Sequence, residues 1–137
     1  MTKRILVVDD HPPTRTLVRS ILEAERGEIF TVVEAATGME CLKAVDKQEP
    51  FDLVILDVGL PDIDGYEVCK ALRRVDKHLP IVFVTARGEM KDFAAGREAG
   101  ADSYLVKPIA RAAVRSIVGL FTSVERRKPS RPEGVTK

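Results

Sequence analysis

Asp9, Asp10, Asp57, Thr85 and Lys107 stand directly after short apolar runs: ILVV leads into the acid pair, LVIL into Asp57, IVFV into Thr85 and YLV into Lys107. Taken singly, each has an ordinary structural use. Asp9 and Asp10 precede Pro12-Pro13 and suit a turn or a helix cap, Thr85 is a good β-former, and Lys107 reads as one more solvated lysine. Brought to one place they are a different object. Three carboxylates in one cleft repel and raise one another's pKa unless cations compensate. A lysine and a hard divalent ion suffice for that. Carboxylate and carbonyl oxygens suit Mg2+, which needs few protein ligands and keeps several waters. A carboxylate beside such an ion and a lysine is a nucleophile toward phosphorus. The ion and Lys107 would neutralise the equatorial oxygens, the Thr85 hydroxyl would donate to one of them, and Asp57 would become an acyl phosphate.

For these groups to meet, the apolar runs must be strands. Ile5–Val8, Phe30–Val33, Leu53–Leu56, Ile81–Val84 and Tyr104–Val106 are short, rich in β-branched residues and bounded by Asp, Gly or Pro. Their continuous apolarity predicts strands buried on both faces, as in a parallel sheet covered by helices. Between them, apolar residues recur at helical spacing: Leu17, Val18, Ile21 and Leu22; Cys41, Leu42 and Val45; Val68, Cys69, Leu72 and Val75; Ile109, Ala113, Ile117, Phe121 and Val124. Asp64 is placed to cap the third helix and Glu67 to complete a capping box. The fourth helix, roughly 90–99, contains Gly96, and Gly100 follows as its stop. Five such units predict a single open α/β layer structure. In an open parallel sheet, ligands bind outside the carboxyl ends of the strands. The five chemical residues all fall on that rim, while the second strand ends in Glu34, followed by Ala35 and Ala36.

The 137 residues fit one domain, over 3–124, with a basic, proline-containing tail over 125–137 that reads as a disordered end or a cut linker. Hydrophobic residues make up 45% and charged residues 31%, the balance of a soluble globular chain. The net charge of +1 conceals an asymmetry, since residues 126–137 hold five Lys/Arg and one Glu. Arg126, Arg127 and Lys128 read as a solvated run, so nucleic-acid contact is not expected of this chain alone. No apolar run approaches the ~18 residues of a membrane span, and no signal-peptide pattern opens the chain; no membrane and a cytoplasmic address are expected. Cys41 and Cys69 read as reduced, buried hydrophobes. No Ser-His-Asp or Cys-His set and no GxxxxGK[ST] loop is present. His11 reads as a loop residue, because a solitary imidazole does not make a zinc site. The acidic stretch Asp62–Gly65 fails as a calcium loop, since Leu60 and Ala71 fall at its first and last ligand positions.

Together, VVDD, VILDVGLPDIDGYE, VTA and YLVKP resemble, in order and separation, the receiver domain of two-component response regulators, the chemotaxis-regulator-like fold. The resemblance covers about residues 3 to 124. It implies a (βα)5 doubly wound, flavodoxin-like domain with a five-stranded parallel sheet of order 2-1-3-4-5. It implies that Asp57 accepts a phosphoryl group from a histidine kinase or phosphotransfer protein. Asp10 and Asp57 would bind Mg2+ directly, Asp9 through water, and the Gly59 main-chain carbonyl would add a ligand. Lys107, joined to Pro108 by a cis bond, would hold a phosphoryl oxygen. Thr85 and Tyr104 would be a switch pair, the threonine moving to the phosphate and the ring turning inward into the vacated space. The ordinary reading of Tyr104 is a half-buried strand aromatic. Gly59 and Arg87 occupy the two positions that modulate phosphate loss: glycine neither shields nor orients an attacking water, whereas Arg87 could cover the phosphate. The output surface would be the fourth helix, fifth strand and fifth helix, offered to a downstream protein, an effector domain or a second copy in a homodimer. Such a chain catalyses only its own phosphorylation and dephosphorylation, and is not otherwise an enzyme.

Three other readings fit less well. A haloacid-dehalogenase-like phosphatase also uses a strand-end aspartate with Mg2+, but needs a second acid where this chain has Gly59, and larger insertions. A flavin-binding flavodoxin-like module needs a Ser/Thr/Gly-rich loop after the first strand, where DDHPPT is acidic. A receiver without the chemistry is disfavoured because the acids, threonine and lysine are all present.

Overall fold

Strands with no polar face must feed two cores at once, and the computed structural model shows how. It describes residues 2–86 and 93–123; Arg87, the start of the expected fourth helix and the tail over 125–137 lie outside the described residues. Strands and helices alternate as β1 (Thr2–Val8), α1 (Pro12–Glu23), β2 (Ile29–Ala35), α2 (Gly38–Lys47), β3 (Leu53–Asp57), α3 (Gly65–Val75), β4 (Ile81–Thr85), α4 (Phe93–Ala99), β5 (Ser103–Val106) and α5 (Arg111–Thr122). The strands form one five-stranded sheet of order β2-β1-β3-β4-β5. Every pairing is parallel. This is the doubly wound α/β architecture that the sequence implies.

Successive side chains in a strand point to opposite faces. Leu6, Val8, Val54, Leu56, Ile81 and Phe83 therefore pack with Cys41, Cys69 and Leu72 of α2 and α3. Ile5, Val7, Leu53, Ile55, Val82 and Val84 pack with Val18, Ile21, Val114 and Val118 of α1 and α5. All five residues of β3 and of β4 are buried. The expectation of burial on both faces fails at β2, where only Val32 of the run Phe30–Val33 is buried and Thr31 is exposed. It is an edge strand, and the helices cover it incompletely. Cys41 and Cys69 are free and buried, as expected. Burial pushes their thiols up to about 12 and about 11.

The helix ends show which local signals were used. Asp64 caps α3 by accepting from Tyr66 N–H at 2.7 Å, but Glu67 pairs with Lys70 at 3.3 Å instead of closing a capping box. Such reciprocal capping occurs at α2: the Thr37 hydroxyl accepts from Glu40 N–H at 3.0 Å, and the Glu40 carboxylate accepts from Ala36 N–H at 2.7 Å. Gly100 closes α4 at φ +106°, a left-handed conformation suited to glycine. Its carbonyl accepts from Arg73 Nε and Nη2 at 2.9 and 2.7 Å. Arg73 Nη1 also donates to Leu79 O at 2.5 Å, and Nη2 to the Asp102 carboxylate at 2.8 Å. One guanidinium thus ties α3 to the segments that precede β4 and β5.

Gly65, the first residue of α3, donates to Val58 O at 3.0 Å. A Cβ there would lie 2.6 Å from Asp57 O and 2.7 Å from Val58 Cα, main-chain atoms of the strand end. Alanine is the better helix former, but backbone overlap outweighs propensity. Gly65→Ala is expected to destabilise the fold by about 1–3 kcal/mol, read as a lower urea midpoint; an unchanged or higher midpoint would contradict the close approach.

Candidate functional site

Parallel pairing brings the strand ends to one rim. Asp9 N–H donates to Ala35 O at 3.0 Å, so the acid pair leaves β1 while still tied to the sheet. Asp57, the last residue of β3, is opposite Val84, which sets Thr85 one step beyond it on the neighbouring strand. Lys107 N–H donates to Thr85 O at 2.8 Å. The Lys107–Pro108 bond is cis.

The side chains converge accordingly. One carboxylate oxygen from each of Asp9, Asp10 and Asp57 lies within 4.8 Å of the others. Lys107 Nζ is 3.3 Å from Asp9 Oδ2 and 3.7 Å from Asp57 Oδ2. Asp9 is 1% exposed and Asp57 6%, whereas Asp10 faces solvent. Asp9 also serves as the turn residue its position allows, since Oδ1 accepts from His11 N–H at 2.9 Å. Its buried Oδ2 lacks a donor in hydrogen-bonding geometry. Asp57 Oδ1 accepts from Gly59 N–H at 3.1 Å.

The electrostatics follow. Burial, and then the charges of Asp9 and Asp10, hold the Asp57 carboxyl above the ordinary carboxylate range, against the Gly59 amide and Lys107, which pull it down. Burial opposes the charge on Lys107, yet Asp57, Asp9 and Asp10 together raise its pKa. Among the described residues one ammonium group pairs with the three carboxylates, which leaves them with excess negative charge. The three carboxylates and the oxygen-only donor set fit a hard divalent cation.

The other expected residues take distinct places. Thr85 is buried at the tip of β4. Beside Gly59, a side chain would meet open space. Tyr104 is set back along β5, its ring centroid 6.0 Å from that of Phe83, which in turn meets Tyr66 edge-on at 5.3 Å. Glu34 belongs elsewhere. Its carboxylate accepts from Arg15 Nε at 2.9 Å and Arg19 Nε at 2.7 Å, contacts that hold it below the usual carboxylate range.

Residues 5–119 match the family model for the response regulator receiver domain. The chain belongs to this family. A receiver domain is a signalling switch, not an enzyme. This receiver domain is 44% identical over 108 residues to the alkaline phosphatase synthesis transcriptional regulatory protein PhoP of Bacillus subtilis, covering 79% of this chain and 43% of that protein. It is 46% identical over 105 residues to the transcriptional regulatory protein TcrA of Mycobacterium tuberculosis, covering 77% of this chain and 40% of that one. The chain thus spans less than half the length of these relatives. Among solved structures it resembles the BeF3-activated receiver domain of DrrB, with TM-score 0.80 and 30% identity over 90% of this chain and 100% of that one. DrrB is a Thermotoga maritima OmpR/PhoB homologue. A CheY-like receiver domain protein of Methanospirillum hungatei gives TM-score 0.79 and 28% identity, over 90% of this chain and 95% of that one.

Two residues of the receiver domain gain significance only in three dimensions. Asp62 crosses to the start of α2, accepting from Gly38 and Met39 N–H at 2.8 and 2.9 Å. Gly96 of α4 lies under Tyr104: a Cβ there would land on the tyrosine hydroxyl and 2.9 Å from Cζ. The one sequence signal for Gly96 was a glycine inside a helix, which is destabilising unless something packs against it.

Two outcomes are expected. Asp57 has its folded pKa raised, so its protonated form favours the fold at low pH, and that contribution is lost as pH rises from the ordinary carboxylate range through the raised value. In metal-free buffer at neutral pH, Asp57→Asn should therefore be more stable than wild type, by about 1–2 kcal/mol. Urea unfolding should show the difference shrinking as pH falls, and equal midpoints at neutral pH would refute it. Gly96→Ala should cost about 1–3 kcal/mol, and much less in a Tyr104→Ala background, as a double-mutant cycle reads directly.

Proposed function

We propose that this receiver domain is a cytoplasmic switch in which Asp57 accepts a phosphoryl group from a histidine kinase or phosphotransfer protein. The observation that carries the reading is the cluster of three carboxylates within 4.8 Å, with Lys107 3.3 and 3.7 Å from two of them. A carboxylate oxygen of Asp57 attacks phosphorus, the bond to the donor breaks, and the donor leaves with its electron pair. Asp10, Asp57 and the Gly59 carbonyl would hold Mg2+ directly and Asp9 through water. The ion supplies charge neutralisation on the phosphoryl oxygens. Lys107 holds one of those oxygens, and the Thr85 hydroxyl donates to another. Support also comes from the related DrrB receiver, described in a BeF3-activated form. The donor has an approach beside the site: a groove of about 430 Å3, lined by His11, Pro13, Leu17 and Ile109 among others, reaches Lys107 and Pro108.

In this reading Thr85 and Tyr104 form the switch. The phosphoryl group adds about −1.5 to −2 charges, and Thr85 moves toward it as the ring occupies the space released. Shifting a population from about 1% to 99% needs about 5.5 kcal/mol. Two hydrogen bonds to a charged group, at about 1.5–3 kcal/mol each, approach that figure. The output surface is α4, β5 and α5, presented to a partner protein, a joined effector segment or a second copy. The transcriptional names of the relatives favour an output in transcription. Gly59 leaves attacking water unhindered, and Arg87 would act in the opposite sense.

Incubation with acetyl phosphate and Mg2+ should add one labile phosphoryl group, seen by intact mass, to wild type and none to Asp57→Asn. Modification without metal, or of the Asn variant, would overturn the assignment.

A further inference from the structure

The loop leaving Asp57 is fastened at both ends. Gly59 N–H donates to Asp57 Oδ1 at 3.1 Å, and Gly65 N–H returns to Val58 O at 3.0 Å. Between them Asp62 reaches a different helix. Its Oδ1 accepts from Gly38 N–H at 2.8 Å and its Oδ2 from Met39 N–H at 2.9 Å, the first two residues of α2. Thr37 already serves the third amide, that of Glu40. The carboxylate therefore fills the remaining first-turn positions of a cap built from two distant segments, where a negative charge is also favoured by the helix dipole.

A second observation shows that the contact is close as well as bonded. A Cβ on Gly38 would lie 2.9 Å from Val68 Cγ2, 3.1 Å from Ile63 Cβ and 3.4 Å from Asp62 Oδ1. Glycine lets the loop settle against α2. Two oxygens on two successive amides fix the plane of the Asp62 carboxylate, and with it the course of the main chain around it. Three residues upstream is Gly59, whose carbonyl is the loop's contribution to the metal in the proposed function.

We infer that Asp62 is a positioning residue for the cation site: by holding the start of α2 it fixes the loop so that the Gly59 carbonyl faces the acidic cluster. The inference rests on the metal site proposed above. Mg2+ and Mn2+ take oxygen ligands, and Mg2+ demands near-ideal octahedral geometry, so a displaced carbonyl weakens binding even when all three aspartates remain. Residues that orient metal ligands without touching the ion typically change affinity by about 10–100-fold.

Asp62→Asn is the discriminating variant. It keeps the volume but replaces one acceptor with an N–H2 group that faces an amide donor, so one of the two bonds is lost. Binding of Mn2+ alone to the full chain is followed by the electron paramagnetic resonance signal of the free ion, with circular dichroism and thermal unfolding recorded on the same samples. The expected result is a folded Asp62→Asn protein that binds Mn2+ about 10-fold more weakly than wild type, and a loss in the same direction in Gly38→Ala, whose Cβ crowds Val68 and, in the loop, Ile63 while keeping the carboxylate. Gly38→Ala also carries the test if Asp62→Asn does not fold. Equal Mn2+ affinity in the folded variants would overturn the inference, as would a lowered melting temperature with unchanged affinity, the mark of a merely structural cap. Failure of the wild type to bind Mn2+ would overturn the metal site itself and this inference with it.

Discussion

Like charges held together are unfavourable, and one rim holds three carboxylates, two of them buried, with Lys107 the one ammonium group among the described residues paired with them. The sheet leaves them no alternative. Asp57 is the last residue of a strand buried along its whole length, and Asp9 remains tied to β2 through its main-chain amide. Neither can swing into solvent without breaking β-pairing. The two apolar cores therefore stabilise a fold whose rim is electrostatically incomplete. Asp9 and Asp57 are desolvated before any ligand arrives, while Asp10 stays in contact with solvent.

The acids, Thr85 and Lys107 were legible in the sequence for a physical reason. Each ends an apolar run, and the end of a parallel strand has only one place to be. The same reading faltered where a residue's role depends on what covers it. Thr31 lies within the Phe30–Val33 run but is exposed because β2 is the edge of the sheet, and Leu17 shares the helical spacing of α1 yet is 40% exposed. Glu34 was correctly put near a strand end, but nothing local announced that Arg15 and Arg19 would claim it. The contacts of Asp62 and Gly96 are hidden in the sequence for the same reason. Their partners are 23–24 and 8 positions away, on other elements, and no periodicity encodes such a meeting.

The rings add a layer between the rim and the helices. Tyr66 in the first turn of α3, Phe83 in β4 and Tyr104 in β5 are in successive contact, and the last of them rests on the bare backbone of Gly96. These are packed, unyielding groups, so Tyr104 and α4 cannot be repositioned independently. Spatial contiguity of this kind is not itself coupling, which is a matter of two populated states.

At the opposite edge of the sheet, the guanidinium of Arg73 grips the carbonyl of Gly100 with two nitrogens and also holds Leu79 and Asp102. That grip falls just after the last turn of α4. The bonds join the end of α3 to the end of α4 and to the segments that enter β4 and β5. A single side chain thus fastens four chain segments at the end of the sheet away from the acids, and replacing it would release all of them at once.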